Sequence, residues 1–215
     1  MFKKEIVDLG GARIISEAMT RFLASEPMQA WGCIATWSIS VLRSLKEKVG
    51  RHAITPALNG MSACMSSQKV CKEGIGCLKC LSLLPRNKEI LQEEDAMDLI
   101  YHCMWSHSEV SAVQQSSLAV LSNISVDVES EQVSQITTTD LDAIVNAMRT
   151  HWTVKGVQES AIILLRNYAF SPNNFTIMQD NSFLVGLIHA AMAKFNDSFR
   201  GRAEDLLRIL PSLGQ

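Results

Sequence analysis

Residues 141–151 read LDAIVNAMRTH, and residues 97–107, 44 positions earlier, read MDLIYHCMWSH. Each holds an acid, an aliphatic pair, a methionine four residues after the pair and a histidine three residues after that. The phrase recurs, less completely, as ARIISEAMTRF at 12–22, ITPALNGMSAC at 54–64 and VGLIHAAMAKF at 185–195. Its methionines are Met19, Met61, Met104, Met148 and Met192, spaced by 42, 43, 44 and 44 residues. The aliphatic pairs are Ile14/Ile15, Leu99/Ile100, Ala143/Ile144 and Leu187/Ile188, and only Pro56/Ala57 departs from the rule. A phrase kept at one period predicts an array of like units that share one core.

A second phrase keeps the same period out of phase with the first: MQAWGCIATWSIS at 28–40, KEGIGCLKCLSLL at 72–84, VQQSSLAVLSNIS at 113–125, VQESAIILLRNYA at 157–169 and RGRAEDLLRILPS at 200–212. Setting Gly32, Gly76, Ser117, Ala161 and Ala203 as equivalent gives spacings of 44, 41, 44 and 42. In both phrases the apolar residues fall at i, i+3, i+4 and i+7, which is a helical stripe and not the alternation of a strand. Pro85 and Pro172 follow second-phrase helices, and Thr55-Pro56 is expected to open a first-phrase helix as cap and first turn. The expected fold is all-α, one domain over 1–215. The recurring methionines fill gaps between units, because Met is flexible and adapts to irregular cores.

A unit of 40–47 residues with two long helices and a short one resembles the armadillo and HEAT arrays. The stretch VQESAIILLRNYAFSPNNFTIMQ is similar to the armadillo consensus: Val-Gln-Glu, small and aliphatic residues, Leu-x-Asn, Ala, a break, then Asn-x-x-Ile opening a short helix. VQQSSLAVLSNIS repeats most of it, NKEIL at 87–91 resembles the short-helix opening, and LGGARIISEAM resembles the turn into the second helix. The resemblance spans essentially the whole chain and implies a right-handed α-solenoid of about five units. The ends carry no obvious polar capping unit, so self-capping termini and a segment of a longer array both remain open.

Composition narrows the chemistry. A chain of 215 residues with 47% hydrophobic residues can bury a sizeable core. No run approaches 18 uninterrupted apolar residues, so a cytoplasmic setting, extending to the nucleus, is expected, with Cys33, Cys64, Cys71, Cys77, Cys80 and Cys103 reduced. The glycosylation triplets at Asn123 and Asn174 should then be inert. Residues 1–88 carry 13 Lys/Arg against 6 Asp/Glu, residues 89–150 carry 1 against 11, and residues 151–215 carry 6 against 5. An acidic middle third opposes nucleic-acid binding, which needs a dominant basic stripe. Cys77-Leu78-Lys79-Cys80 is half a zinc spacing without its other half. His107 and His151 fall at equivalent helix ends, where an imidazolium can meet terminal carbonyls. No phosphate loop, nucleophile elbow or His-Glu-x-x-His is present. No catalytic residue, metal or cofactor is expected.

The expected activity is therefore binding. In armadillo proteins the third helices line a concave groove, and their asparagine bonds the backbone of an extended peptide. By resemblance this places a partner-binding groove at Asn123 and Asn167, with Ser38 and Ser82 at the corresponding places of the earlier copies, Ile209 in the last, and Glu159 nearby. A structural role for the asparagines, satisfying local backbone groups, stands beside that reading. The importin tryptophan, four residues before the asparagine, is replaced by Ala119 and Ile163, with Ile34 and Leu78 in the other copies, which disfavours that function. The expected partner is a protein or extended peptide, rich in Lys/Arg where it crosses the acidic stretch. The alternative is a regulatory subunit or exchange-type factor acting on a folded enzyme or small GTPase. Met148 is expected to be intolerant of truncation and Glu129 tolerant.

Overall fold

A computed structural model describes residues 2–126, 133–195 and 199–210; Glu129 and residues 211–212 of the last second phrase lie outside them. The described residues form thirteen helices: α1 (Phe2–Asp8), α2 (Gly11–Arg21), α3 (Glu26–Ser40), α4 (Arg43–Ala63), α5 (Gln68–Leu81), α6 (Pro85–Glu93), α7 (Ala96–Ser106), α8 (Ser111–Ile124), α9 (Thr138–Thr150), α10 (Lys155–Tyr168), α11 (Pro172–Gln179), α12 (Leu184–Lys194) and α13 (Arg200–Ile209). Besides these there is an isolated antiparallel bridge between Val126 and Val133. The chain is all-α. Its first phrases become α2, α4, α7, α9 and α12, and its second phrases become α3, α5, α8, α10 and α13.

The helix ends follow local chemistry. Ser25 caps α3, its Oγ accepting from the Met28 N–H at 3.4 Å. Thr137 and Asp140 close a capping box on α9, with Thr137 Oγ1 accepting from Asp140 N at 3.2 Å and Asp140 Oδ2 accepting from Thr137 N at 2.8 Å, so two otherwise orphaned donors are satisfied together. Pro85 and Pro172 stand at the first positions of α6 and α11, where a missing N–H costs nothing. The turn into α2 uses Gly10 at φ +86°, and the turn into α7 places Asp95 in the same left-handed region at φ +49°.

Thr55-Pro56 does not open a helix. It lies inside the 21-residue α4. An interior proline removes one hydrogen bond and costs about 3 kcal/mol, yet Leu45, Val49, Ala53, Ile54, Ala57, Leu58 and Met61 form one buried stripe running through the site. That stripe packs on α2, α3 and α5, and its burial outweighs the lost bond, at roughly 1.5–3 kcal/mol per large apolar side chain.

Two compact units divide the chain, residues 1–107 and 108–215. In the first, α3 packs against α5 and α4 against α2, α3 and α5; in the second, α10 packs against α8, α9 and α13. Met19, Met61, Met104 and Met148 are all buried, as expected, while Met192 is only half-buried. Met19 and Met61 show why a small residue recurs. A Cβ on Gly32 would stand 2.5 Å from Met19 Cγ, and a Cβ on Gly74 would stand 2.5 Å from Met61 Cγ.

That contact corrects the alignment of the second phrase. Gly74, and not Gly76, is the equivalent of Gly32, and a Cβ on Gly76 would meet nothing. The series Gly32, Gly74, Ser117 and Ala161 then has spacings of 42, 43 and 44, matching the methionines. The slip of two arose because KEGIGC offers two glycines and the helical stripe alone does not choose between them.

Candidate partner-binding face

The corrected register aligns the second-phrase helices. Buried positions recur as Cys33, Ile75, Leu118 and Ile162, then Thr36, Leu78, Leu121 and Leu165, then Ile39, Leu81, Ile124 and Tyr168. Opposite them lies a stripe that stays accessible. In the first unit it comprises Trp31, Ile34 and Ser38 on α3 and Glu73, Gly76 and Cys80 on α5. In the second it comprises Ser116, Ala119 and Asn123 on α8 and Ser160, Ile163 and Asn167 on α10. Trp31 is 61% exposed, with Lys69 Nζ 5.0 Å from its ring centroid.

Three of the expected groove residues, Ser38, Asn123 and Asn167, reach this face; Glu159 lies beside it and Ser82 does not reach it. Ser38 is half-buried, its hydroxyl donating to Ile34 O at 2.8 Å. Asn123 and Asn167 are half-buried near the ends of α8 and α10. Glu159 stands one turn into α10, its carboxylate 3.9 Å from Arg202. Ser82, by contrast, is fully buried and donates to Lys79 O at 3.1 Å. With the register moved by two, the residue at the asparagine position is Cys80, and the position four before it is Gly76 in place of Leu78, which is core.

The asparagine position is structural as well as accessible. Asn167 Nδ2 donates to Ser122 O and to Ser125 Oγ, both at 3.0 Å, so it ties the end of α10 to the end of α8. Both amide hydrogens are used there, and the acceptor Oδ1 takes no part in that tie. Cys80 occupies the same place one helix pair earlier: its sulfur lies 3.6 Å from Ser40 Oγ, and Ser40 is the equivalent of Ser125. Lys46 Nζ, on a largely buried side chain, donates to Cys80 Sγ at 2.8 Å and to Cys80 O at 3.2 Å.

Three further bonds recur at the period, none of them assigned from the sequence. His107 Nε2 donates to Met65 O at 2.8 Å and His151 Nε2 to Ser108 O at 2.7 Å. These rings end α7 and α9, as expected, but serve a carbonyl about 42 residues upstream and not their own helix end. Cys64 holds the equivalent place with a longer bond, its Sγ donating to Leu23 O at 3.7 Å. Gln29 Nε2 donates to Met19 O and Phe22 O, and Gln158 Nε2 to Met148 O and His151 O. Lastly, Asn87 donates to Lys46 O and Leu81 O, and Asn174 accepts from Ile136 N and donates to Ser134 O. The shared spelling Pro85-Arg86-Asn87 and Pro172-Asn173-Asn174 was the available signal for this last pair.

Among the described residues no group of three His, Cys, Asp or Glu could hold a metal ion, and no helix is long and apolar enough to cross a membrane. Burial pushes the Cys33 thiol up to about 12 and raises Cys77 well above the usual thiol value. Compared with known proteins, the chain matches no family model, no curated protein and no solved structure.

Proposed function

We propose that the chain is a non-enzymatic scaffold of armadillo type that holds an extended segment of a partner protein along the second-phrase helices of its units. One observation carries this reading: in each unit a stripe stays accessible at the same register, through Ser38 and Cys80 in the first and through Asn123 and Asn167 in the second, while the positions beside it are used for packing. A surface that repeats at the period of the fold suits a ligand that itself repeats, and an extended peptide does so at every second residue. The stripe carries Ile34, Ala119 and Ile163 between its polar members, so it suits apolar side chains flanked by backbone bonds. The net charge of −10 over residues 89–150 favours a segment bearing Lys/Arg, with an affinity that falls as salt screens exposed charges over about 8–10 Å.

Site-directed photocrosslinking tests the proposal. A photoreactive residue at Ile34 or at Ile163 should capture the same partner in cells, and a peptide copied from the captured segment should compete. The same probe at exposed Glu17 on α2 or Asp142 on α9 should not capture it. Capture at Glu17 and Asp142 with none at Ile34 and Ile163 would overturn the groove in favour of a broad contact with a folded enzyme or small GTPase.

A further inference from the structure

The residue at the Gln29 place is not always glutamine. Moving by the period gives Gln29, Cys71, Gln114 and Gln158. Across from Gln29, on α4, stands Gly60: a Cβ there would overlap the Gln29 amide and lie 3.2 Å from Gln29 Cγ. The residues at the Gly60 place are Gly60, Cys103, Ala147 and Ala191. Each glutamine is thus matched in register with glycine or alanine, and the one cysteine with the one other cysteine. The exchange conserves shape, since a shorter side chain on one helix leaves room for a longer one opposite.

The contact on the Gln29 pair also has the dimensions of a covalent link. In a disulfide the γ sulfur of one cysteine stands about 3 Å from the β carbon of the other. A Cβ placed on Gly60 would stand 3.2 Å from Gln29 Cγ, which is that same pair of positions one period earlier. Cys71 and Cys103 are hydrogen-bonded through their side chains. Cys71 Sγ donates to Met65 O at 3.3 Å, the carbonyl that also accepts from His107. His107 follows Cys103 by one turn of α7, its N–H bonded to Cys103 O at 3.1 Å.

We propose that Cys71 and Cys103 form a redox pair that a peroxide oxidises to a disulfide joining α5 to α7. The two thiols divide the roles. The hydrogen bond from Cys103, with the nearby His107, outweighs burial and lowers the Cys71 thiol to about 7, whereas its bond to Cys71 and burial raise Cys103. The Cys71 thiolate attacks one peroxide oxygen, the O–O bond breaks, and the departing hydroxide takes up a proton as water, leaving a sulfenic acid. Cys103 then loses its proton and attacks the Cys71 sulfur, and the displaced hydroxide leaves as a second water. Each sulfur is oxidised by one electron and the peroxide is reduced by two. Both thiols are fully buried, so the reaction proceeds through local opening.

The test is thiol counting and peptide mapping of the reduced full chain after hydrogen peroxide. The count of free thiols should fall by two from the six present, one linked pair of peptides should contain residues 71 and 103, and dithiothreitol should restore both. Cys103→Ala, which installs the residue found at position 147, should abolish that link. A link joining other cysteines, such as Cys33 to Cys77, would overturn the proposal. So would retention of all six thiols under conditions that oxidise the urea-unfolded chain, and the wild-type map decides the matter even if the variant fails to fold.

Discussion

The two units solve one packing problem with different side chains. In residues 108–215 the bonds that recur at the period are made by His151, Gln158 and Asn167, which present nitrogen donors to carbonyl or hydroxyl oxygens at 2.7–3.2 Å. In residues 1–107 His107 and Gln29 keep two of these bonds at 2.8–3.0 Å, but one copy of each of the three places holds Cys64, Cys71 or Cys80, whose sulfur contacts run from 2.8 to 3.9 Å. All six cysteines of the chain lie in the first unit. Thiols are weak donors, so at those three positions the first unit relies on close packing where the second relies on directed bonds. Its glycines against Met19 and Met61 fit that description.

The largest expected difference lies in the methionine layer. Met148→Ala should cost about 2–5 kcal/mol, as for other large-to-small changes in a core, and Met192→Ala clearly less because Met192 is half-buried. Equal shifts in the denaturation midpoint would break the assignment of the methionines to one layer.

Alkaline pH should separate the units next. Cys33, Cys77 and Cys103 are buried thiols with folded values raised above 9.0. Their contribution is complete below pH 9 and is lost as pH rises through the folded value, about 12 for Cys33. Each group costs about 1.4 kcal/mol per pH unit in that window. Cys71, lowered to about 7, acts the other way: its contribution is present above pH 9 and disappears as pH falls through 7. Amide exchange followed from pH 8 to 10, and corrected for the intrinsic rate, should show the cysteine-free second unit holding while the first weakens.

A smaller contrast concerns the helix-end donors. His151→Ala leaves Ser108 O without its buried partner and should cost about 1–3 kcal/mol, whereas Cys64→Ala removes only a 3.7 Å thiol contact and should cost less. A reversed order, read by urea titration, would show that the first unit depends on its thiols as strongly as the second does on its imidazole. The smallest effect is a gain: Asp95→Gly relieves a left-handed residue at φ +49° and should stabilise by roughly 0.5–1 kcal/mol.

Much of the helical order was legible because a buried stripe must be apolar at every third or fourth residue, whatever its partner. The methionine series and the small residues facing it could be read for the same reason. What could not be read was register where two small residues compete, as at Gly74 and Gly76, and this one ambiguity put Ser82 where Cys80 stands on the accessible stripe. Nor could a local rule foresee Pro56 inside α4, since the compensating burial comes from α2, α3 and α5. The Gln29 and His151 bonds were hidden for a related reason: a polar side chain reaching a backbone carbonyl of another segment leaves no mark in a hydrophobic pattern.

Helix α4 differs from its counterparts in a way that bears on how the first unit opens. Where Gly10 and Asp95 interrupt the backbone elsewhere, α4 runs without a break from Arg43 to Ala63, a rod of roughly 30 Å at 1.5 Å per residue. Interrupted segments can fray piecewise, each short helix melting from its own ends. A continuous rod docked on six neighbouring helices cannot release one half without straining the other, so it behaves as a splint. The consequence is cooperative: α2, α3 and α5 are clamped to one object and loosen together when it shifts.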